Sequence, residues 1–167
     1  MTALRPRGLN KALPNRPANA LNAKATMPIR SLRSVVEGQT PITAPKSTTV
    51  ADAARIMKDH NIGALLVVDG THLCGIFTER DALFRVIATT RDPAETRLED
   101  VMTPQPQTID PDEPFLEALR IMHKGKFRHL PVAEFGRPLG MVSMRDALED
   151  DFYALRTDLA QREDMLE

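Results

Sequence analysis

The chain has 167 residues, of which 42% are hydrophobic and 27% are charged, and its formal net charge is −1. These values are typical of a soluble globular protein with one domain or two small ones. The longest apolar run, residues 62–68, is too short to cross a bilayer. The single cysteine, Cys74, excludes an intrachain disulfide framework and a zinc site built from cysteines. We therefore expect a cytoplasmic protein without a membrane span.

The segment 1–34 differs in composition from the rest of the chain. It contains seven basic residues and no acidic one, which leaves 15 basic against 23 acidic residues in the remainder. Four prolines and few large apolar residues give this segment little burial to offset the entropy cost of ordering. We predict that residues 1–34 form a basic, disordered arm, either a plain tail or a segment that binds nucleic acid or an acidic partner.

The segment 36–83 recurs as 101–148 without a gap. Fourteen of the 48 paired positions are identical, from Val36 with Val101 to Leu83 with Leu148. The same supersecondary unit has therefore been used twice. We divide the chain into an arm (1–34), a first repeat (35–90), a linker (91–99), a second repeat (100–150) and a C-terminal helical extension (151–167).

Hydrophobic periodicity changes in the same order within both repeats. The first helix of each repeat has one apolar face, formed by Val50, Ala53, Ala54 and Met57 or by Phe115, Ala118, Leu119 and Met122. Short strands are predicted at 41–45, 65–68 and 73–77 and again at 106–109, 130–133 and 139–142. A second helix opens at Thr78 or Ser143. Each repeat is thus predicted to be β-α-β-β-α, which gives an α+β or α/β fold.

The final helix is predicted to continue beyond the second repeat. Four large apolar side chains recur there at intervals of four, three and four residues: Leu148, Phe152, Leu155 and Leu159. This stripe either packs back on its own domain or meets a partner helix in a dimer.

Each repeat contains a strand end followed by a hydroxyl and a carboxylate. Residues 75–81 are Gly-Ile-Phe-Thr-Glu-Arg-Asp, and residues 140–146 are Gly-Met-Val-Ser-Met-Arg-Asp. One interpretation is a capping box, in which Thr78 or Ser143 caps a helix and the aspartate three residues later bonds back to the backbone. In the other, the helix N-terminus and hydroxyl bind a phosphate while the carboxylate accepts from both ribose hydroxyls. The pattern alone leaves both interpretations open.

Residues 36–148 resemble a tandem pair of cystathionine-β-synthase (CBS) domains, the Bateman module. The likeness rests on both Gly-hydrophobic-hydrophobic-Thr/Ser-x-x-Asp motifs, on Ala-x-x-x-Met in the first helix of each repeat, and on Arg-His-Leu-Pro-Val at 128–132. The resemblance implies two pseudo-symmetric repeats that pack sheet to sheet and leave two clefts for adenosine-containing ligands. Each cleft would take its ribose carboxylate from one repeat and much of its adenine wall from the leading segment of the other.

Carried over by position, the resemblance implies a first binding site made of Thr40, Pro41, Ile42, Gly63, Ala64, Arg128, His129, Met141, Ser143, Arg145 and Asp146. It implies a weaker second site made of Ile76, Thr78, Arg80, Asp81, Gln105, Pro106 and Gln107. The repeats differ where phosphate would be met, since Arg128 and His129 stand opposite Gly63 and Ala64. Arginine can bind phosphate through two parallel N–H bonds, so we expect a phosphorylated adenosine at the first site.

Other reactive side chains show no comparable pattern. His72 and Cys74 lie on one face of a predicted strand, but no third or fourth metal ligand can be named. His129 has no nucleophile at a recognised catalytic spacing, and the chain lacks the glycine motifs of P-loop and Rossmann proteins. The basic residues within 124–128 are too sparse to predict a nucleic-acid surface. We assign no catalytic residue and no metal site.

These features predict a non-enzymatic regulatory module, a homodimer that senses cellular energy through an adenosine-containing ligand and acts on an effector protein in another chain. AMP and ATP are the favoured ligands; ADP, NAD and S-adenosylmethionine are alternatives because the motif addresses only the adenosine moiety that all five share. Two other hypotheses stay open. One is a structural or interaction protein with vestigial clefts, and the other is a small enzyme that uses His129 with Asp146.

Overall fold

A computed structural model describes residues 30–146. The predicted apolar stripe of Leu148, Phe152, Leu155 and Leu159 and most of the predicted basic arm lie outside these residues. The helices are α1 (Leu32–Val36), α2 (Val50–Asp59), α3 (Glu79–Asp81), α4 (Leu98–Val101) and α5 (Phe115–Gly125), and a π-helical segment (Ala82–Ile87) continues α3. The strands are β1 (Thr43–Pro45), β2 (Ala64–Asp69), β3 (His72–Thr78), β4 (Thr103–Pro104), β5 (His129–Glu134) and β6 (Arg137–Ser143).

The first unit contains a four-stranded sheet in the order β1-β2-β3-β4. β1 runs parallel to β2, and the β2–β3 and β3–β4 pairs are antiparallel. The first four residues of β2 are all buried, as expected for a strand covered on both faces. The mixed sheet and its helices confirm the predicted α+β class.

The second unit contains a two-stranded sheet and repeats the central part of this arrangement in the register that the sequence repeat predicts. β5 and β6 form an antiparallel hairpin, and Ile109 bridges Val132 in parallel, as Ala44 pairs with Val67 in the first unit. Both hairpins carry a β-bulge directly after the residue bridged in this way, Val67 or Val132. The strand predicted at 106–109 is reduced to the single bridge at Ile109, so its predicted length is wrong.

Each unit has its own hydrophobic core, and each core includes a helix that precedes the other unit in the chain. α1 precedes the first unit, yet its buried residues Leu32 and Val36 belong to the core of the second. α4 precedes the second unit, yet Leu98 and Val101 belong to the core of the first. The two units are therefore interlocked by these crossed helices.

The structure differs from the predicted boundaries at both crossed helices. A disordered arm was predicted through residue 34, but Ser31 caps α1 and Leu32 is completely buried. The predicted linker 91–99 likewise includes Leu98, which is completely buried. Helices of four or five residues are too short to show a periodic pattern, and tertiary packing rather than propensity stabilises them.

The two units also meet where β3 faces β6. The Leu73 N–H donates to the Gly136 carbonyl in the turn between β5 and β6 at 2.9 Å. The symmetric bond cannot form because Pro138, the counterpart of Leu73, has no N–H. The symmetry between the units is therefore approximate even at the backbone of their junction.

Candidate functional site

A cavity of about 1190 Å³ is lined by residues from both units. The lining includes all eleven residues predicted for the first site: Thr40, Pro41, Ile42, Gly63, Ala64, Arg128, His129, Met141, Ser143, Arg145 and Asp146. The first three precede or adjoin β1, the next two open β2, and the remainder surround the start of β5 and the end of β6. The fold thus brings together residues that lie up to about a hundred positions apart in the sequence.

Gly63 allows two titratable side chains to approach the same part of the cavity. A Cβ atom on this residue would lie 3.2 Å from Glu79 Oε2 and 3.5 Å from His129 Cε1. The Gly63 carbonyl also accepts a hydrogen bond from the Glu79 N–H at 3.2 Å. A side chain here would crowd the Glu79 carboxylate and lie against the imidazole, so glycine keeps this part of the cavity open.

Gln39 forms part of the wall contributed by the segment before β1. Its Oε1 accepts from the Met141 N–H at 3.2 Å, and its Nε2 donates to the Val35 carbonyl at 3.4 Å. A Cβ atom on Gly140 would lie only 2.6 Å from Gln39 Oε1. These contacts hold the segment from Gln39 to Ile42 against β6, where it lines the cavity.

The motif of the first repeat, residues 75–81, forms a complete capping box at the start of α3. Asp81 Oδ2 accepts from the Thr78 N–H at 2.9 Å and from Thr78 Oγ1 at 2.7 Å, and Thr78 Oγ1 accepts from the Asp81 N–H. Asp81 Oδ1 lies 3.3 Å from the Arg85 guanidinium. Because Asp81 is only 7% exposed, its visible role is to stabilise the start of α3.

The second motif combines a capping contact with a position in the cavity wall. Asp146 Oδ2 accepts from the Ser143 N–H at 2.6 Å, and Ser143 Oγ accepts from the Arg145 N–H at 3.2 Å. Asp146 and Ser143 are both half-buried and line the cavity. The two motifs therefore share a capping function, but this cavity includes only the second carboxylate.

The cavity carries more positive than negative charge when its histidine is neutral. Lys58, Arg128 and Arg145 are its cations, and Glu79 and Asp146 are its carboxylates. Among residues 30–146, no carboxylate oxygen lies within 4.0 Å of a side-chain nitrogen of these three cations, so none of them forms an ion pair there. Cations without a partner are available to an anionic ligand such as a phosphate.

His129 is the titratable group most affected by this environment. Burial lowers the pKa of its imidazole, and the nearby Arg128 and Arg145 lower it further, whereas Glu79 and Asp146 act in the opposite direction. A bound anion would offset the two arginines, so we expect such a ligand to raise the pKa of His129.

The residues predicted for the second site do not line this cavity: Ile76, Thr78, Arg80, Asp81, Gln105, Pro106 and Gln107. The Gln105 N–H donates instead to the Cys74 carbonyl at 2.9 Å, next to the pairing of β3 with β4. A symmetric cleft would also need the counterparts of Ala82, Leu83 and Ile87, which are residues 147, 148 and 152. These lie outside the described residues, so the second site stays a prediction.

Several residues of the cavity wall are not predicted from the sequence, chiefly Lys58, Asn61, Glu79, Leu83 and Ile87. An acidic residue in the first turn of a helix is common for electrostatic reasons alone, so Glu79 carried no distinct signal. One comparison could have found it, because its counterpart in the second repeat is Met144. The charge difference at this pair marks the cavity as asymmetric.

The part of the chain that the structure describes shows no group of three His, Cys, Asp or Glu side chains placed to hold a metal ion. Burial raises the pKa of the Cys74 thiol, which disfavours the reactive thiolate. Between residues 30 and 146, no helix has the length and apolar character required to traverse a bilayer.

Two interlocked units of mixed helix and strand that together line one cavity define the class of tandem-repeat domain pairs. The CBS domain family matches residues 33–88 and 98–151. The chain therefore belongs to the CBS domain family, with two such domains in tandem, as the sequence analysis predicted.

Two plant proteins that are longer than this chain are similar to it in sequence. The CBS domain-containing protein CBSCBSPB1 of Arabidopsis thaliana is 38% identical over 128 residues, which cover 76% of this chain and 23% of the relative. The mitochondrial CBS domain-containing protein CBSX3 of the same plant is 36% identical over 116 residues, which cover 66% of this chain and 56% of the relative. The chain thus spans about a quarter of the first relative and just over half of the second.

Solved structures share the fold over most of their length. A CBS-domain protein from Burkholderia ambifaria superposes on this chain with a TM-score of 0.68 and 32% sequence identity. The aligned region covers 72% of this chain and 93% of the Burkholderia chain. A CBS-domain protein from Pyrobaculum aerophilum complexed with AMP has a TM-score of 0.64 at 20% identity, with 70% and 89% covered. At 20% identity, the similarity to the Pyrobaculum protein shows a shared fold alone.

Proposed function

We propose that this chain is a non-enzymatic regulatory module whose cavity binds an adenine nucleotide. The observation that carries the proposal is the convergence of eleven residues from both repeats on one cavity with three cations that lack an ion-pair partner among residues 30–146. The AMP complex of the Pyrobaculum protein supports the choice of ligand class, because that protein has the same fold.

Each part of the ligand has a chemically suitable partner in the cavity. In this proposal, Asp146 accepts hydrogen bonds from the ribose hydroxyls, and the segment from Thr40 to Ile42 forms the adenine wall. Arg128 and Arg145 donate to phosphate, since guanidinium groups bind phosphate oxygens in a bidentate manner. The neutral imidazole of His129 adds a donor or an acceptor at the same end.

The regulatory part of the proposal follows from the crossed site. A ligand that contacts both repeats stabilises one relative arrangement of the two units over others, and only such differential binding can transmit a signal. We propose that this change acts on an effector protein in another chain, with energy sensing in the cytoplasm as its role. CBS-domain proteins of this kind are typically regulatory and non-catalytic, which supports the absence of a reaction.

A thermal-shift screen tests the ligand class directly. The full chain is heated with AMP, ADP, ATP, NAD or S-adenosylmethionine, and a ligand at 100 times its Kd should stabilise the folded state by about 2.7 kcal/mol. We expect at least one adenine nucleotide to raise the melting temperature while remaining chemically unchanged. A product released from the nucleotide would favour the enzyme hypothesis. If none of the five ligands raises the melting temperature, the hypothesis of an interaction protein with vestigial clefts is favoured.

A further inference from the structure

Lys58 belongs to a different unit of the fold from the other two cations of the cavity. It occupies the last turn of α2, in the first unit, whereas Arg128 directly precedes β5 and Arg145 follows β6 in the second. The side chain of Lys58 is exposed. The cavity therefore carries positive charge on walls contributed by both units.

The cavity is also larger than one small ligand requires. Its volume of about 1190 Å³ exceeds the roughly 300–1,000 Å³ that is usual for small-molecule sites. The end of α2 adds a second polar residue there, because Asn61 adopts a left-handed conformation with φ of 52° and lines the cavity near Lys58. This wall thus offers an ammonium and an amide in addition to the groups that would hold the first phosphate.

We propose that Lys58 binds the outer phosphates of a polyphosphorylated nucleotide, so that the site prefers ATP to AMP. The inference rests on the proposed function, since it assigns the phosphate chain of the same ligand. An ammonium group on a flexible stem suits this task, because it provides a mobile point charge that can follow the end of the chain. AMP lacks the phosphates that would reach this residue.

The chain offers a matched control in the second repeat. Lys124 occupies the last turn of α5, is exposed and does not line the cavity. Replacing either lysine with alanine removes one positive charge from the end of an equivalent helix. Both variants should fold, because alanine is the best helix former and neither side chain is buried.

Titration calorimetry with AMP and with ATP, in one buffer of fixed ionic strength, distinguishes the outcomes. We expect the full chain to bind ATP more tightly than AMP. Lys58→Ala should weaken ATP binding roughly three- to tenfold and leave AMP binding unchanged, since an exposed charged contact contributes less than a buried one. Lys58→Arg should restore most of the ATP affinity, and Lys124→Ala should change neither affinity.

Three results would overturn the inference. If Lys58→Ala weakens neither ligand, or weakens both equally, Lys58 does not read the phosphate chain although the cavity still binds nucleotides. If the unmodified chain binds AMP at least as tightly as ATP, the stated preference is wrong. If it binds neither, the proposed function itself fails and the inference falls with it.

Discussion

Asp81 and Asp146 occupy equivalent positions in the two repeats, but their surroundings differ. Asp81 is held by Thr78 and Arg85 and is almost completely buried, while Asp146 contacts Ser143 and lines the cavity. A capping box and a ribose-binding motif share the same spacing because both need a carboxylate near the first turn of a helix. The structure thus supports the capping interpretation for both motifs, and the binding interpretation remains a proposal for Asp146.

His129 should make the stability of the protein depend on pH. Because its pKa is lower in the folded chain than its ordinary value of about 6.5, the unfolded chain binds the proton more readily. Its contribution to the free energy of unfolding is therefore present above pH 6.5 and decreases as the pH falls towards the folded-state pKa. His129→Gln should remove this dependence.

Chemical denaturation of both proteins between pH 7.5 and pH 5 measures the effect. We expect the stability of the unmodified chain to fall more steeply with decreasing pH than that of His129→Gln. Two curves that stay parallel over this range would contradict the assignment of a lowered pKa to His129.

At the scale of secondary-structure elements, the crossed helices α1 and α4 connect the two cores. Each is only four or five residues long, and each contributes two buried aliphatic side chains to the unit that it does not precede. Burial of such side chains contributes about 1.5–3 kcal/mol each, which is enough to fix a short helix that would not form alone. The relative placement of the units therefore depends on α1 and α4.

Leu32→Ala should destabilise the protein by about 2–5 kcal/mol, because it leaves a cavity in the core of the second unit. Leu116→Ala is the matched control, since Leu116 lies on α5 and is 57% exposed. Its loss should change the free energy of unfolding by no more than about 0.5 kcal/mol. Denaturant unfolding gives both values, and equal losses in the two variants would show that α1 is not part of the core.

The sequence predicted the internal order of each unit better than its boundaries. The constant offset between the repeats anticipates the paired bridges at Ala44 and Ile109, because repeated periodicity requires a repeated fold. It could not reveal that Leu32 packs in the second core, since so short a helix carries no signal for its tertiary partner. The sequence also could not show that Lys58 and Glu79 line one cavity, because α2 and α3 are brought together there by the tertiary fold.

At the scale of the whole molecule, an apolar group of three side chains faces solvent. Leu83, Phe84 and Ile87 of the π-helical segment are 50%, 58% and 64% exposed. Clustered apolar side chains of this size are common at interfaces between copies of a chain. Leu83 and Ile87 also line the cavity, whereas Phe84 does not. The homodimer stays a prediction, and this group is a candidate surface for it.

Phe84→Asp should shift a dimer towards monomer, because it places a charge within the apolar group without altering the cavity lining. Phe135→Asp is the control, since Phe135 is 92% exposed at the tip of the β5–β6 hairpin. Sedimentation of the full chain at several concentrations measures the shift. A monomeric unmodified chain, or a Phe84→Asp variant that dimerises normally, would exclude this surface as the interface.

The approximate two-fold symmetry makes the differences between the repeats informative. Gly63 and Ala64 in one repeat correspond to Arg128 and His129 in the other, and all four line the same cavity. Small residues on one side leave room, and charged or polar ones on the other supply donors. This asymmetry predicts a phosphate-binding site in this cavity and a weaker one, or none, at its symmetric counterpart.

Titration calorimetry with AMP and ATP on variants of both motif aspartates tests the central claim most directly. Asp146→Ala should lower the affinity of the favoured nucleotide by roughly 10- to 150-fold. Arg128→Ala should lower it by roughly three- to tenfold, because the Arg128 side chain is exposed. The double variant should lose less than the product of the two. Asp81→Ala, checked for folding because it removes a helix cap, should leave that affinity nearly unchanged. If Asp81→Ala abolishes binding while the other two retain it, or if no variant has an effect, this cavity is not the nucleotide site.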